Sequence, residues 1–431
     1  MQRSTVRRAA ETVTIFVATS VAALAIMLPI SFASLAASLH VDLLVFNVPR
    51  AMTGAAFVAV ITAAVTVAIG SERTARWTAL LALSGIVVSH LAFIPDSTDG
   101  HLDSLSLPTL NFIDSLLAGV VIGALAVVVW NEPFLRTVYL FGALGGTILG
   151  DLTQSPTDPT SDGFSGALGS TLPLLFIAAS ALALTYFALT TATPPRTTIE
   201  TAIPLAPVFA AVVTFTTTII TAFAVASHKS SVPYLVVASI VTIAAAVAAA
   251  MILPERDGVL ILLMNSFAVA GSLVTTLPRS GWIDLATLAA IACGLLIGIR
   301  RPRPLVAATS VVVLACCVLA TDFFAPPATL TAALGCLALG TVGGYCVGTA
   351  IPQSPTSGTV GLATLFVPSI GVALSDSGFG HLAYSSTWYR TTDLDRGVAP
   401  GAVAIAVALG CAVAVLALLR YRSAPPSTIS S

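Results

Sequence analysis

A carboxylate, an imidazole and four carboxamides lie inside or at the ends of long apolar runs, and their chemistry needs explaining. His90 falls in the run 77–95, and Asn111 and Asp114 fall early in the run 109–130. Asn265 falls in 259–277, while Gln154 and Gln353 close two glycine-rich runs. A carboxylate at depth can take up and release a proton. Imidazole is the side chain that titrates nearest neutrality. A carboxamide hydrogen-bonds a polar solute without carrying charge. Polar groups at membrane depth face a bundle interior or a water path. His90, Asn111, Asp114, Gln154, Asn265 and Gln353 are therefore the candidates for substrate or coupling contacts. Asp114 would be the acid/base group and His90 its proton partner. Asp114 sits only about one helical turn inside its run, which also suits a carboxylate at the water interface.

Other chemistries find little support. The chain shows no Ser/His/Asp arrangement, no HExxH and no phosphate-binding GxxxxGK[ST]. The six cysteines all fall in apolar runs with no metal-binding spacing. No basic patch is large enough for nucleic acid. The expectation is a chain without metal, cofactor or catalytic site.

The elements that must position these residues are transmembrane helices. Of 431 residues 57% are hydrophobic and only 9% charged, against roughly 25% in a soluble domain. A hydrocarbon core needs about 20 apolar residues as helix. Fourteen runs qualify: 13–36, 48–70, 77–95, 109–130, 135–152, 167–190, 204–227, 232–253, 259–277, 282–299, 304–322, 329–350, 358–375 and 399–420. The run 358–375 is short and contains Gly, Pro and Ser, so twelve full spans is the alternative. The runs are continuously apolar and do not alternate, which excludes a barrel. The fold expected is an all-α polytopic membrane protein of 12–14 spans.

With the first end inside and strict alternation, thirteen of the eighteen basic residues fall inside. That bias places both ends in the cytoplasm. The expected organisation is a cytoplasmic segment 1–12, a first bundle 13–190, a linker 191–203, a second bundle 204–420 with extra C-terminal spans, and a tail 421–431. Ala- and Val-rich, nearly lysine-free usage suits a bacterial plasma membrane.

One internal similarity stands out. GALGGTILGDLTQSPT at 142–157 and GTVGGYCVGTAIPQSPT at 340–356 share Gly-Gly-xxx-Gly and Gln-Ser-Pro-Thr. The glycines are Gly145, Gly146 and Gly150, then Gly343, Gly344 and Gly348. Small residues four apart let helices approach closely. The proline that follows ends or breaks the helix. The two segments are the fifth and twelfth runs, seven apart, which does not suit a six-plus-six duplication.

The loop after the second run reads GSERTAR, with Gly70, Glu72, Arg73 and Arg76. With the glycine-rich fifth run, it resembles the major facilitator superfamily of secondary transporters. The resemblance implies two helical bundles and a cytoplasmic latch formed by those four residues. The family's second glycine is missing, with Ala75 near its place. The function expected is a secondary transporter or exporter, possible coupling by protons included, for a small neutral or amphipathic solute. Few deep charges are present to neutralise a charged cargo. Its surroundings would be membrane lipid. Two other readings stay open. One is a non-transporting subunit beside a membrane protein partner, and the other is an enzyme acting on lipid-linked substrates through the external acidic residues Asp96, Asp99, Asp103, Asp151, Asp158 and Asp162.

Overall fold

The structure is a computed structural model, and it describes residues 2–28, 41–92, 107–153, 174–190, 203–228, 231–254, 257–274, 281–324, 327–375 and 398–423. The described residues form helices and no strands. The chain is an all-α, multi-pass membrane protein. Nine helices are long and apolar enough to cross a bilayer by length and composition among the described residues.

The first six helices are α1 (Gln2–Met27), α2 (Val41–Ile69), α3 (Glu72–Ala92), α4 (Leu107–Val129), α5 (Pro133–Thr153) and α6 (Leu174–Thr190). Two more follow, α7 (Leu205–Ser227) and α8 (Val232–Ile252). The rest are α9 (Asp257–Gly271), α10 (Gly281–Arg300), α11 (Pro304–Phe324), α12 (Ala328–Thr349), α13 (Pro355–Ala363), α14 (Ile370–Ser375) and α15 (Val398–Ser423). Each expected run returns as a helix, with 358–375 split into α13 and α14. The second Gln-Ser-Pro-Thr explains where that element starts. Ser354 caps α13 by accepting from the Ser357 amide at 3.1 Å, and Pro355 occupies the first turn.

The packing pairs repeat. In the first six helices α2 lies along α4, α1 along α5, and α3 against α4 and α6, while α1 also meets α4 and α6. In α9–α15 the equivalent pairs recur. There α10 lies along α12, α9 meets α13 and α14, α11 meets α12 and α15, and α9 also meets α12 and α15. Contacts between the sets mirror each other too. Helices α2 and α4 touch α13, and α10 and α12 touch α5. These are the relations of a pseudo-twofold arrangement of α1–α6 and α9–α15. The α7–α8 hairpin has no counterpart in it, and α7 packs on α2, α13 and α14.

Glycines make the tightest pairs possible. A Cβ at Gly119 or Gly123 on α4 would strike backbone of Ala55 or Ala59 on α2. A Cβ at Gly344 or Gly348 on α12 would strike backbone of Ile291 or Leu295 on α10. The partner helix carries glycines as well, Gly294 and Gly298, which lie against α12 backbone. The first glycine series makes the same kind of close approach at another place in the bundle. Gly142, Gly146 and Gly150 on α5 pack against Phe16, Ser20, Ala23 and Met27 of α1. In the pseudo-twofold arrangement α5 corresponds to α13 and α14, not to α12. The sequence similarity therefore joins helices in non-equivalent places. Glycine spacing reports close approach, not position in a duplication.

Hydrogen bonds join helix ends that strict alternation puts on one side. The ends expected inside meet one another through Asn131 to Glu72, Trp130 to Gln353, Gln353 to Asp257 and Tyr345 to Arg301. Arg422, near the end of α15, joins this face. Its Nη2 donates to the carbonyls of Ala250 at 2.9 Å and Leu253 at 2.8 Å, at the end of α8. A cation there satisfies carbonyls that a helix end leaves open. We expect Arg422→Ala to cost about 1.5–3 kcal/mol, the range for hydrogen bonds to a charged group. Thermal unfolding in detergent checks this, and an unchanged midpoint would remove the bond's importance.

Candidate functional site

Three features of the helical frame bear on function. The first joins α3 to α4 in their outer halves. Asp114 is wholly buried between helices and does not face water. Ser89 Oγ donates to Asp114 Oδ1 at 2.6 Å, and His90 Nε2 lies 3.4 Å from Asp114 Oδ2. The His90 side chain is nearly buried as well. The pair expected from the sequence is thus brought together, with a serine hydroxyl as its third member. Ser89 escaped notice because it neighbours His90 within an ordinary apolar run. The imidazole and the carboxylate are neighbours but make no hydrogen bond to each other, and Asp114 Oδ2 and His90 Nε2 are both buried without a hydrogen-bond partner among the described residues.

The second feature is a closure at the inner face. Trp130, just past the inner end of α4, is buried, and its Nε1 donates to the Gln353 carbonyl at 3.0 Å. Its ring lies against Gly358 of α13 so closely that a Cβ there would collide with it. The Arg136 guanidinium sits 5.8 Å from the same ring centre. The Gln353 amide donates to Asp257 Oδ1 at 3.0 Å, and Asp257 is buried at the start of α9. Tyr139 of α5, fully buried, donates to the Ile122 carbonyl at 3.0 Å and meets Thr359 of α13. Side chains of the first six helices therefore seal directly onto α13 and the segment before it, which in turn is bonded to α9.

The third feature is a cavity of about 80 Å³ toward the outer face, between the same two sets of helices. Met27, Met52, Ile148, Phe267 and Leu339 give it apolar walls. Thr147, Asp151, Ser272 and Ser369 supply its polar groups. Ser369 Oγ donates to the Ala268 carbonyl at 3.2 Å, which holds the break between α13 and α14 against α9. The volume suits about two or three waters. The cavity is thus small, and the seal at Trp130 lies on its inner side.

The remaining candidates fall elsewhere. Asn265 is buried between α9 and α15, its Nδ2 4.0 Å from Cys411 Sγ, and does not line the cavity. Gln353 uses its backbone in the closure, while the residue itself is exposed. Asn111 is buried one turn before Asp114. Gln154 lies outside the described residues, as do Asp96 and Asp103. Gly145 and Gly343 both lie at the seam between the helix sets, against Leu288 and against Phe267 with Ile148.

The four latch residues gather at the inner end of α3. Gly70 takes a φ of 67°, a conformation that favours glycine, and turns the chain from α2 into α3. Glu72 pairs with Arg76 at 3.4 Å and accepts from Asn131 Nδ2 at 3.3 Å. The Arg76 guanidinium stacks 4.8 Å from the Phe187 ring centre on α6. Arg73 is exposed. These contacts tie α3 to the α4–α5 turn and to α6, all within the first six helices.

Sequence reasoning missed Trp130, Asp257, Ser272 and Ser369. Asp257 sits in the short charged stretch Pro-Glu-Arg-Asp-Gly at 254–258, where a carboxylate is ordinary and its burial is not visible from the sequence. Among the described residues no group of three His, Cys, Asp or Glu could hold a metal ion.

No family profile matches the chain, and no curated protein matches it by sequence. Two solved structures are similar to it across almost the whole chain. One is a POT family peptide transporter in an auto-inhibited form, at 13% identity and a TM-score of 0.44, covering 97% of each chain. The other is the xylose transporter XylE from E. coli, partially occluded and inward-open, at 12% identity and a TM-score of 0.46. That match covers 96% of this chain and 98% of the other.

Proposed function

We propose that the chain is a secondary transporter working by alternating access, a divergent relative of the major facilitator superfamily in a bacterial plasma membrane. The observation that carries this reading is the pseudo-twofold packing of α1–α6 against α9–α15, with a cavity between them and a seal at the inner face. A transporter of this kind exposes its cavity to one side at a time, by rocking one bundle against the other. The division that follows is two six-span halves, counting α13 and α14 as one span, with α7–α8 inserted between them. The additional spans are then central and not C-terminal, as the sequence suggested.

The cavity walls favour a small neutral or amphipathic solute. Asp151 is the only acidic residue among the groups lining the cavity, and the rest are apolar or hydroxyl-bearing. Asp114 and His90 serve as the proton-coupling pair, acting through α4. Asp114 and Trp130 ride on the same helix end to end, about 24 Å apart. A change in how α4 packs on α3 at Asp114 reaches the seal at Trp130 without an intermediary.

The test is flux in vesicles prepared from cells making the chain, screened with neutral and amphipathic solutes under an imposed proton gradient. Asp114→Asn preserves the shape of the site and removes its acid. We expect it to abolish gradient-driven accumulation and to spare exchange of solute across the membrane. Accumulation unchanged in both Asp114→Asn and His90→Gln would eliminate the coupling role. No solute moved by the intact chain would favour the accessory-subunit reading.

A further inference from the structure

Helices α11 and α12 stand apart where their counterparts do not. On the first side α3 and α4 pack along their length, with Gly85 admitting Leu117. On the second side α11 and α12 meet only lightly, and a groove of about 500 Å³ opens between them. Val306, Ser310, Val313 and Cys317 of α11 form one wall, with Leu334 and Ala338 of α12 opposite. The α11 wall runs from Val306 to Thr321, about 22 Å of helix, most of the hydrocarbon thickness. Its hydroxyls are already used within their own helices. Thr309, Ser310 and Thr321 donate to carbonyls three residues back. The groove thus presents apolar surface to the bilayer and asks for no polar partner along its walls.

Its inner mouth is different. The turn from α10 to α11 reads Arg300-Arg301-Pro302-Arg303-Pro304, and all three arginines are exposed. No carboxylate pairs with them among the described residues. The two prolines restrict the backbone of the turn. Tyr345 of α12 fastens it by donating to the Arg301 carbonyl at 3.3 Å. Val306 lies one turn above Arg303 on α11, and Val342, which also lines the groove, lies one turn above Tyr345 on α12. The cations are therefore fixed at the foot of the groove, at the cytoplasmic headgroup level.

We infer that this is a binding site for one anionic glycerophospholipid of the inner leaflet. An acyl chain fills the groove between α11 and α12, and the phosphate sits on Arg301 and Arg303. The charge selects the headgroup, since basic clusters at the cytoplasmic surface attract anionic lipid. The apolar walls select the acyl chain, which a free phosphate or a soluble anion lacks. The inference needs the inside orientation of the arginines and does not depend on transport.

The experiment uses the full chain in mild detergent with phosphatidylglycerol or phosphatidylcholine of identical acyl chains. Native mass spectrometry reads the lipid retained. Phosphatidylglycerol should be retained in preference by about tenfold or more, as two arginines near a membrane surface would give. Arg301→Gln with Arg303→Gln should bring the two lipids level. Val313→Phe fills the groove from a lipid-facing position, where the fold tolerates bulk, and should lower retention of both lipids. Preference that survives the arginine changes overturns the proposal. So does phosphatidylglycerol retention untouched by Val313→Phe, which would place the lipid on surface charge alone. A copurifying membrane protein in the groove, with no lipid retained, overturns it in favour of a protein partner.

Discussion

Trp130→Ala should unseal the inner face. The indole is buried, bonded to the Gln353 carbonyl, and seated where Gly358 leaves room for it. Truncating a buried tryptophan costs about 3–5 kcal/mol. In the proposed alternating cycle the open state does not make this contact, so the closed state loses more than the open one. Each ~1.4 kcal/mol of difference is tenfold in the population of open molecules. Thr356 is fully buried beside this seal, and its hydroxyl has no hydrogen-bond partner. A Thr356→Cys change is therefore a mild reporter. In inside-out vesicles, a membrane-impermeant maleimide should label it at least tenfold faster when Trp130 is alanine. Equal labelling with and without the indole would show that Trp130 is not a gate. Gly358→Leu provides the complementary case, since it collides with the ring and should open the face with the tryptophan still present.

The second large effect concerns the α10–α12 seam. At Gly344 a methyl group would meet the Ile291 carbonyl, which belongs to a helix backbone and cannot move aside. Overpacking a closed core costs about 1–3 kcal/mol even when side chains can yield, and here the two helices must separate. Gly344→Leu should leave little folded protein after detergent extraction. Gly145 is the control within the related motif. A methyl there meets only the tip of the Leu288 side chain, at 3.1 Å, which a rotamer change relieves. Gly145→Ala should fold with near-normal yield. Size-exclusion profiles of both variants decide the matter, and equal behaviour would remove the distinction between backbone and side-chain contact.

The spans were legible because the bilayer imposes one length and one composition on every helix that crosses it. The broken element 358–375 was legible for the same reason, since Pro and Gly interrupt its apolar run. Asp114 was visible as a charge where charge is expensive. Its burial was not visible, because depth along a helix does not say which face is turned inward. The pairing with His90 depends on how α3 lies against α4, across a connection the spacing does not constrain. Trp130 and Asp257 stayed hidden for a related reason. Both sit at span ends, where aromatic and acidic residues are ordinary, and only the meeting of the two helix sets distinguishes them. The Gly-Gly-xxx-Gly similarity misled because one physical demand, close approach of backbones, arises at several places in a bundle.

The α7–α8 hairpin has a consequence for how such a chain could arise. It leaves one face of the bundle and returns to the same face, so the first and second helix sets keep their relative orientation. A single added helix would invert everything that follows and put Arg300, Arg301 and Arg303 on the wrong side. A pair preserves parity, and the downstream half is inserted as though nothing had been added. Gain or loss of the hairpin is then a one-step change open to natural variation. A relative lacking it would be expected to keep the inner seal intact, because Trp130, Gln353 and Asp257 all lie outside it.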